Sequence, residues 1–307
     1  MPKFHVSRST TINSTPDNVF KMLNDFNHWL AWSPWLIMEP EVSVTISDDA
    51  KYYEWKGKRT GEGNMKIIDE VEDKSLSLDL TFLKPWKSTA KVHFSLSADG
   101  PGTKVTWDMN SALPFFMFWM KKMMINLIGS DYDRGLNLLK DFVEKGVVES
   151  KLEFKGTSEF PGATYIGVKT TCSISEIGDA MISDFGKLEE FMKDHADIAK
   201  KEAYTIYHKW DIAKQTAFYT ACVGVISIPD SLPNGVFSGE IKPSKVYTLR
   251  HIGAYHHLGN AWTTLYTMHR GKEFKTIKGA HPFEHYISDP KETEPKDSIT
   301  DIIFPIK

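Results

Sequence analysis

The residues best suited to chemistry lie near the C-terminus, in the run Phe283-Glu284-His285-Tyr286. In a strand, alternate side chains share a face, so Glu284 and Tyr286 line one surface together while His285 points to the other. A carboxylate walled by aromatic rings is desolvated, and its pKa rises unless a cation pairs with it. A delocalised organic cation would satisfy both the charge and the ring faces. Tyr255 and Tyr207 are candidates for aromatic walls and hydroxyl donors, with Trp262 facing inward from a helix. Each of these rings, taken alone, is more often core packing than a ligand contact. Glu284 has its own plainer reading, a solvated carboxylate on an edge strand.

Other chemistries find little support. The chain holds eleven histidines, but Pro282 separates His281 from His285 and the pair enters a strand, so helical i,i+4 ligation is not available; His256-His257 also lacks a scaffold, and no metal is expected. Gly-rich phosphate loops and a serine nucleophile elbow are missing, so no nucleotide or other cofactor is expected. Cys172 and Cys222 form no C-x-x-C pair, which suits a reducing compartment. The opening Met1-Pro2-Lys3-Phe4-His5-Val6 lacks the apolar core of a signal peptide. A cytoplasmic location follows as an expectation. The net charge of −3 provides no global basic field, so direct nucleic-acid binding is not expected.

The 307 residues suggest two domains. A strand over 6–12 leads to Ser14-Thr15-Pro16, a cap followed by a first-turn proline. A helix with Val19, Phe20, Leu23 and Phe26 on one face should follow, then an aromatic element with Trp29, Trp32 and Trp35. Strands are predicted over 42–46, 52–56, 63–71, 75–82, 89–96 and 103–109, separated by turn residues. After Pro114 an amphipathic stretch runs to Gly146, a plausible C-terminal cap. Its start, Leu113 to Ile128, is broken by Lys121 and Lys122 and is too short to span a membrane. Phe116, Trp119, Met120, Met123, Met124, Leu127 and Ile128 follow helical spacing, and this stripe is expected to pack on the sheet rather than touch a membrane. Trp29, Trp32, Trp35, Trp55, Trp86, Trp107 and Trp119 are seven of the nine tryptophans; they either wall a cavity for an apolar ligand or fill the space between sheet and helix.

This order of strand, paired helices, antiparallel meander and long final helix resembles the START-like superfamily, also called SRPBCC or polyketide cyclase type. The matching runs are Ile12-Asn13-Ser14-Thr15-Pro16-Asp17-Asn18-Val19-Phe20, Trp29-Leu30-Ala31-Trp32-Ser33-Pro34-Trp35 and Asp133-Arg134-Gly135-Leu136-Asn137-Leu138-Leu139-Lys140. The resemblance implies an antiparallel sheet gripping the last helix around a hydrophobic cavity. In the second half, a strand over 164–171, a helix over 177–198 and strands over 203–210 and 216–228 are followed by a similar cycle: 245–252, 257–270, 283–288 and 298–306. With Tyr207, His251-Ile252-Gly253-Ala254-Tyr255-His256-His257-Leu258, Phe283-Glu284-His285-Tyr286, Asp289-Pro290 and the final Thr300-Asp301-Ile302-Ile303-Phe304-Pro305-Ile306, this half resembles the GyrI-like family, the effector-binding domain of transcription activators. The DNA-binding segment of such regulators is replaced here by the START-like half.

The expected fold is therefore α+β: a START-like helix-grip domain over 1–148, a short linker over 149–161, and a GyrI-like domain of two β-α-β-β units over 162–307. The GyrI-like resemblance implies that Glu284 sits in the aromatic pocket of the effector domain, and Tyr286, Tyr255, Tyr207 and Trp262 are the rings expected to line it. The expected partner is a hydrophobic or cationic small molecule. Two other readings stay open. One is a hydrolase of strained electrophiles, as some GyrI-like proteins are, with Glu284 as general base and Tyr255 or Tyr286 as donor. The other is a module that regulates a protein partner.

Overall fold

In the computed structural model, which describes residues 2–84 and 87–307, the chain divides into Met1–Ser150 and Lys151–Lys307. The first unit is built on seven antiparallel strands: β1 (Lys3–Ile12), β2 (Ser43–Ile46), β3 (Tyr52–Lys56), β4 (Glu62–Val71), β5 (Ser75–Lys84), β6 (Ser88–Asp99) and β7 (Gly102–Ala112). Their order is β1-β7-β6-β5-β4-β3-β2, a meander closed on one side by the first strand. Between β1 and β2 lie α1 (Pro16–Leu23) and α2 (Phe26–Trp32), and α3 (Lys121–Lys145) follows β7.

Local chemistry accounts for these elements. Thr15 caps α1 by accepting from the Asn18 N–H, with Pro16 opening the first turn. On β7, Thr103, Val105, Trp107 and Met109 alternate into the core. α3 lays Tyr132, Leu136 and Leu139 on that same core, and ends at Gly146, whose φ of 74° is left-handed. Trp29, Trp32 and Trp107 are buried and pack on one another, and the Trp107 ring stacks on Tyr132 at 4.0 Å. These rings fill space between sheet and helix. Trp35 and Trp55 are half-buried against them, Trp119 is exposed, and Trp86 lies outside the described residues.

Two expectations are corrected. The stripe from Phe116 to Ile128 does not pack on the sheet as a whole: Met124 and Ile128 are half-buried, whereas Phe116, Trp119 and Met123 are exposed. The reason is local. Phe115–Met120 winds as a 3₁₀ turn, and its three-residue period breaks the register of an α-helical stripe. The segment expected as a linker over 149–161 is instead a strand, β8 (Ser150–Phe160), at the edge of the second sheet. Leu152 and Phe154 alternate onto the apolar cluster of that unit, a signal masked by Gly156 and Ser158.

The second unit continues with β9 (Ala163–Ser173), α4 (Ile177–Lys193), β10 (Ala199–Asp211), β11 (Thr216–Val225), β12 (Val236–Ile241), β13 (Ser244–Gly253), α5 (Leu258–Arg270), β14 (Phe283–Tyr286) and β15 (Ile299–Pro305). The eight strands order as β12-β9-β11-β10-β14-β15-β13-β8. A β-α-β-β unit is thus used twice, β9-α4-β10-β11 and β13-α5-β14-β15. The short β14 lies at their junction, paired to β10 and to β15.

Candidate functional site

β14 sets the site. Its pairing aligns Glu284 with Thr205 on β10 and with Ile302 on β15, at the middle of the sheet where no edge lets water in. Side chains alternate as expected. His285 stacks on Tyr204 at 4.5 Å on one side, while Glu284 and Tyr286 face the helices on the other. α5 turns Trp262 toward this face because Ala261, Leu265 and Met268 anchor that helix on Leu249 and Ile302.

The Glu284 side chain is 2% exposed. Trp262 Nε1–H donates to one carboxylate oxygen at 2.6 Å, and the Tyr286 hydroxyl donates to the other at 2.7 Å. The Tyr207 hydroxyl is a third partner. Thr205 Oγ1 shares a hydrogen bond with the Tyr286 hydroxyl at 2.9 Å, extending the chain of polar atoms into the sheet. Rings enclose the group: Tyr207 meets Trp262 edge-on at 4.8 Å, and Phe185 from α4 meets Tyr286 edge-on at 5.7 Å. Tyr255, in the 3₁₀ turn before α5, sits 5.8 Å from Tyr286 and is 40% exposed. It stands where the cluster reaches solvent.

Among the described residues Glu284 has no ion-pair partner. Burial therefore raises its pKa above the ordinary carboxylate value, against the pull of Tyr286, Trp262 and Tyr207. The same burial, with Glu284 nearby, pushes the Tyr207 and Tyr286 hydroxyls well up, so both stay protonated and serve as donors. Tyr255 is shifted upward too, by burial first and then by Glu284 and Asp289. A buried carboxylate ringed by aromatic faces and neutral donors favours a delocalised positive charge, or a proton to be moved.

All five residues singled out in the sequence, Glu284, Tyr286, Tyr255, Tyr207 and Trp262, thus meet in one cluster. Sequence reasoning missed Phe185, Thr205 and a second buried carboxylate, Asp184, which accepts from Thr170 Oγ1 at 2.6 Å and from the Tyr219 hydroxyl at 2.9 Å. Its signal was available: Asp184 falls on the apolar stripe of Ile177, Met181, Phe185 and Leu188. On the opposite face of β14, a cavity of about 270 Å³ is lined by residues that include His285, Tyr204, Glu202, Asp301 and Thr248. Among the described residues no helix is long and apolar enough to cross a membrane.

Comparison with known proteins follows this division of the chain. Residues 158–307 match the GyrI-like small molecule binding domain, and residues 3–144 match the family described as polyketide cyclase / dehydrase and lipid transport. No curated protein matches the chain. Solved structures similar to it include the EcmrR–DNA complex (17% identity, 61% of this chain and 68% of that chain, TM-score 0.43). The isolated C-terminal domain of EcmrR is another (18% identity, 52% and 98% covered, TM-score 0.38). A third is the Aha1 dimer from Colwellia psychrerythraea (14% identity, 47% and 98% covered, TM-score 0.35).

Proposed function

We propose that this chain, a polyketide cyclase-type domain followed by a GyrI-like small-molecule-binding domain, takes up hydrophobic cationic compounds at Glu284. The observation that carries this reading is a buried carboxylate with three ring-borne donors and, among the described residues, no cation of its own. A ligand that brings a delocalised charge relieves the desolvation of Glu284, and one that brings apolar surface buries against Tyr207, Trp262 and Tyr286. Tyr255, partly exposed, is the ring such a ligand meets first.

A lipophilic phosphonium ion tests it. Wild-type protein is expected to gain thermal stability from the phosphonium and little from a neutral triaryl compound of the same size. Glu284→Gln, which keeps the shape and removes the charge, is expected to lose that gain. Equal stabilisation of the two proteins would sink the charge-selective reading. Mass spectrometry of electrophilic hits separates binding from turnover: a compound altered by wild type and left intact by Glu284→Gln would make Glu284 a general base instead.

A further inference from the structure

Phe115, Phe116, Phe118 and Trp119 are 78, 75, 61 and 69% exposed. With each ring offering about 150–250 Å², they present on the order of 500 Å² of apolar surface, at the upper end of what soluble monomers carry. They stand as a knob rather than a stripe. Pro114 turns the chain away from β7, and the 3₁₀ turn that follows brings Phe115 and Phe118 to 6.3 Å. Leu83, at the neighbouring end of β5, is 46% exposed.

Positive charge surrounds the knob. Lys121 and Lys122 open α3 directly behind it; both are exposed and, among the described residues, neither is ion-paired. The register of β1 brings Lys3 opposite Ala112, and the exposed Lys87 precedes β6 at the same end of the sheet. From Leu113 to Ser130 there is no Asp or Glu. Glu62, at that end of β4, is already paired with Lys84 at 2.8 Å and with Lys56 at 3.8 Å.

We propose that this end of the N-terminal domain docks on an anionic membrane surface. Phe115, Phe116, Phe118 and Trp119 enter the boundary between headgroups and acyl chains, and Lys121 and Lys122, backed by Lys3 and Lys87, meet the lipid phosphates. Aromatic rings favour that boundary over both water and hydrocarbon, and lysines beside it are attracted by the negative surface. A convex apolar knob in a basic rim suits a deformable anionic surface. It falls short of the roughly 800 Å² per partner that a stable protein interface buries. The proposal does not rest on the reading of Glu284.

The test is flotation of the intact chain with vesicles of phosphatidylcholine alone and of phosphatidylcholine mixed with phosphatidylglycerol, at low and high salt. Wild type is expected to float with the anionic vesicles, to bind the neutral ones on the order of tenfold more weakly, and to be released by salt. Phe116→Ser with Trp119→Ser, and separately Lys121→Glu with Lys122→Glu, are each expected to weaken anionic binding on the order of tenfold or more, with unchanged circular dichroism and melting. Failure of wild type to float with anionic vesicles overturns the proposal. So does a dimer in lipid-free sedimentation that the Phe116/Trp119 variant dissolves, because the knob would then belong to a second copy.

Discussion

Each hydrogen bond to the Glu284 carboxylate draws its pKa down, yet burial outweighs the three together and leaves the group above the ordinary carboxylate range. Trp262→Phe isolates one of those bonds, because it keeps a ring in place and removes only the Nε1–H that donates at 2.6 Å. A hydrogen bond to a charged group contributes about 1.5–3 kcal/mol, which corresponds to roughly one to two pKa units. A cation binds the ionised carboxylate, so affinity for the phosphonium should strengthen as pH rises through the Glu284 pKa. Losing the Trp262 donor should move that midpoint upward by about one unit. A fluorescence titration repeated across pH checks it, and an unmoved midpoint would remove Trp262 from the electrostatics of the site. The pairing of Glu284 with Tyr286 was legible from strand alternation alone. The inward direction of Trp262 was expected too, but not its bond to Glu284, since the partner of an indole on a helix emerges only when the packing of Leu265 and Met268 fixes the helix rotation. Asp184 is less legible, because one carboxylate on an apolar stripe resembles a solvated edge position until Thr170 and Tyr219 converge on it in the fold.

At the scale of elements, α3 owes its seat to the absence of a side chain. A Cβ on Gly135 would lie 2.7 Å from Cζ3 of Trp107 and 3.1 Å from Cγ of Pro34. Trp107 has little room to yield, being buried, stacked on Tyr132 at 4.0 Å and packed on Phe94 at 4.8 Å. In an open helix, glycine to alanine gains about 1 kcal/mol, whereas forcing an extra methyl into a packed core costs about 1–3 kcal/mol. The second effect should win for Gly135→Ala, with a net loss on the order of 1 kcal/mol. Gly186 in α4 has nothing near its missing Cβ, so Gly186→Ala should gain about 0.5–1 kcal/mol. Calorimetry should find shifts of opposite sign; a stabilised Gly135→Ala would mean that the Trp107 ring moves aside. The meander and the long helix were readable because alternation and helical spacing extend over many residues. Three elements were not: β8 hides its alternation behind Gly156 and Ser158 despite its length, β12 has only six residues, and the 3₁₀ turn at 115–120 imitates an α-helical stripe.

For the molecule as a whole, acid should act first through the C-terminal domain, where burial lowers the pKa of three histidines, His208, His251 and His285. His251 is fully buried, and desolvation, reinforced by His257 and His256, lowers its pKa to about 3. His208, half-buried beside His281, is lowered to about 4 by desolvation in the same way. A depressed folded pKa means that the unfolded chain takes up the proton more readily. The stabilisation is therefore fully present above the unfolded value near 6.5 and is lost as pH falls through the window down to the folded value. For His251 alone this amounts to about 2 kcal/mol between pH 7 and pH 5. The partly exposed His208 adds less, because solvent screens it. Glu284 works in the opposite direction: its raised pKa makes the folded state lose stability as pH rises, so acid relieves part of the strain that burial imposes. Comparing wild type with His251→Asn cancels that contribution, since Glu284 is common to both. Urea unfolding followed by circular dichroism at the two pH values should then show a clearly smaller acid loss in the variant. An equal loss in the two proteins would place the acid sensitivity elsewhere, with His208 the next group to replace.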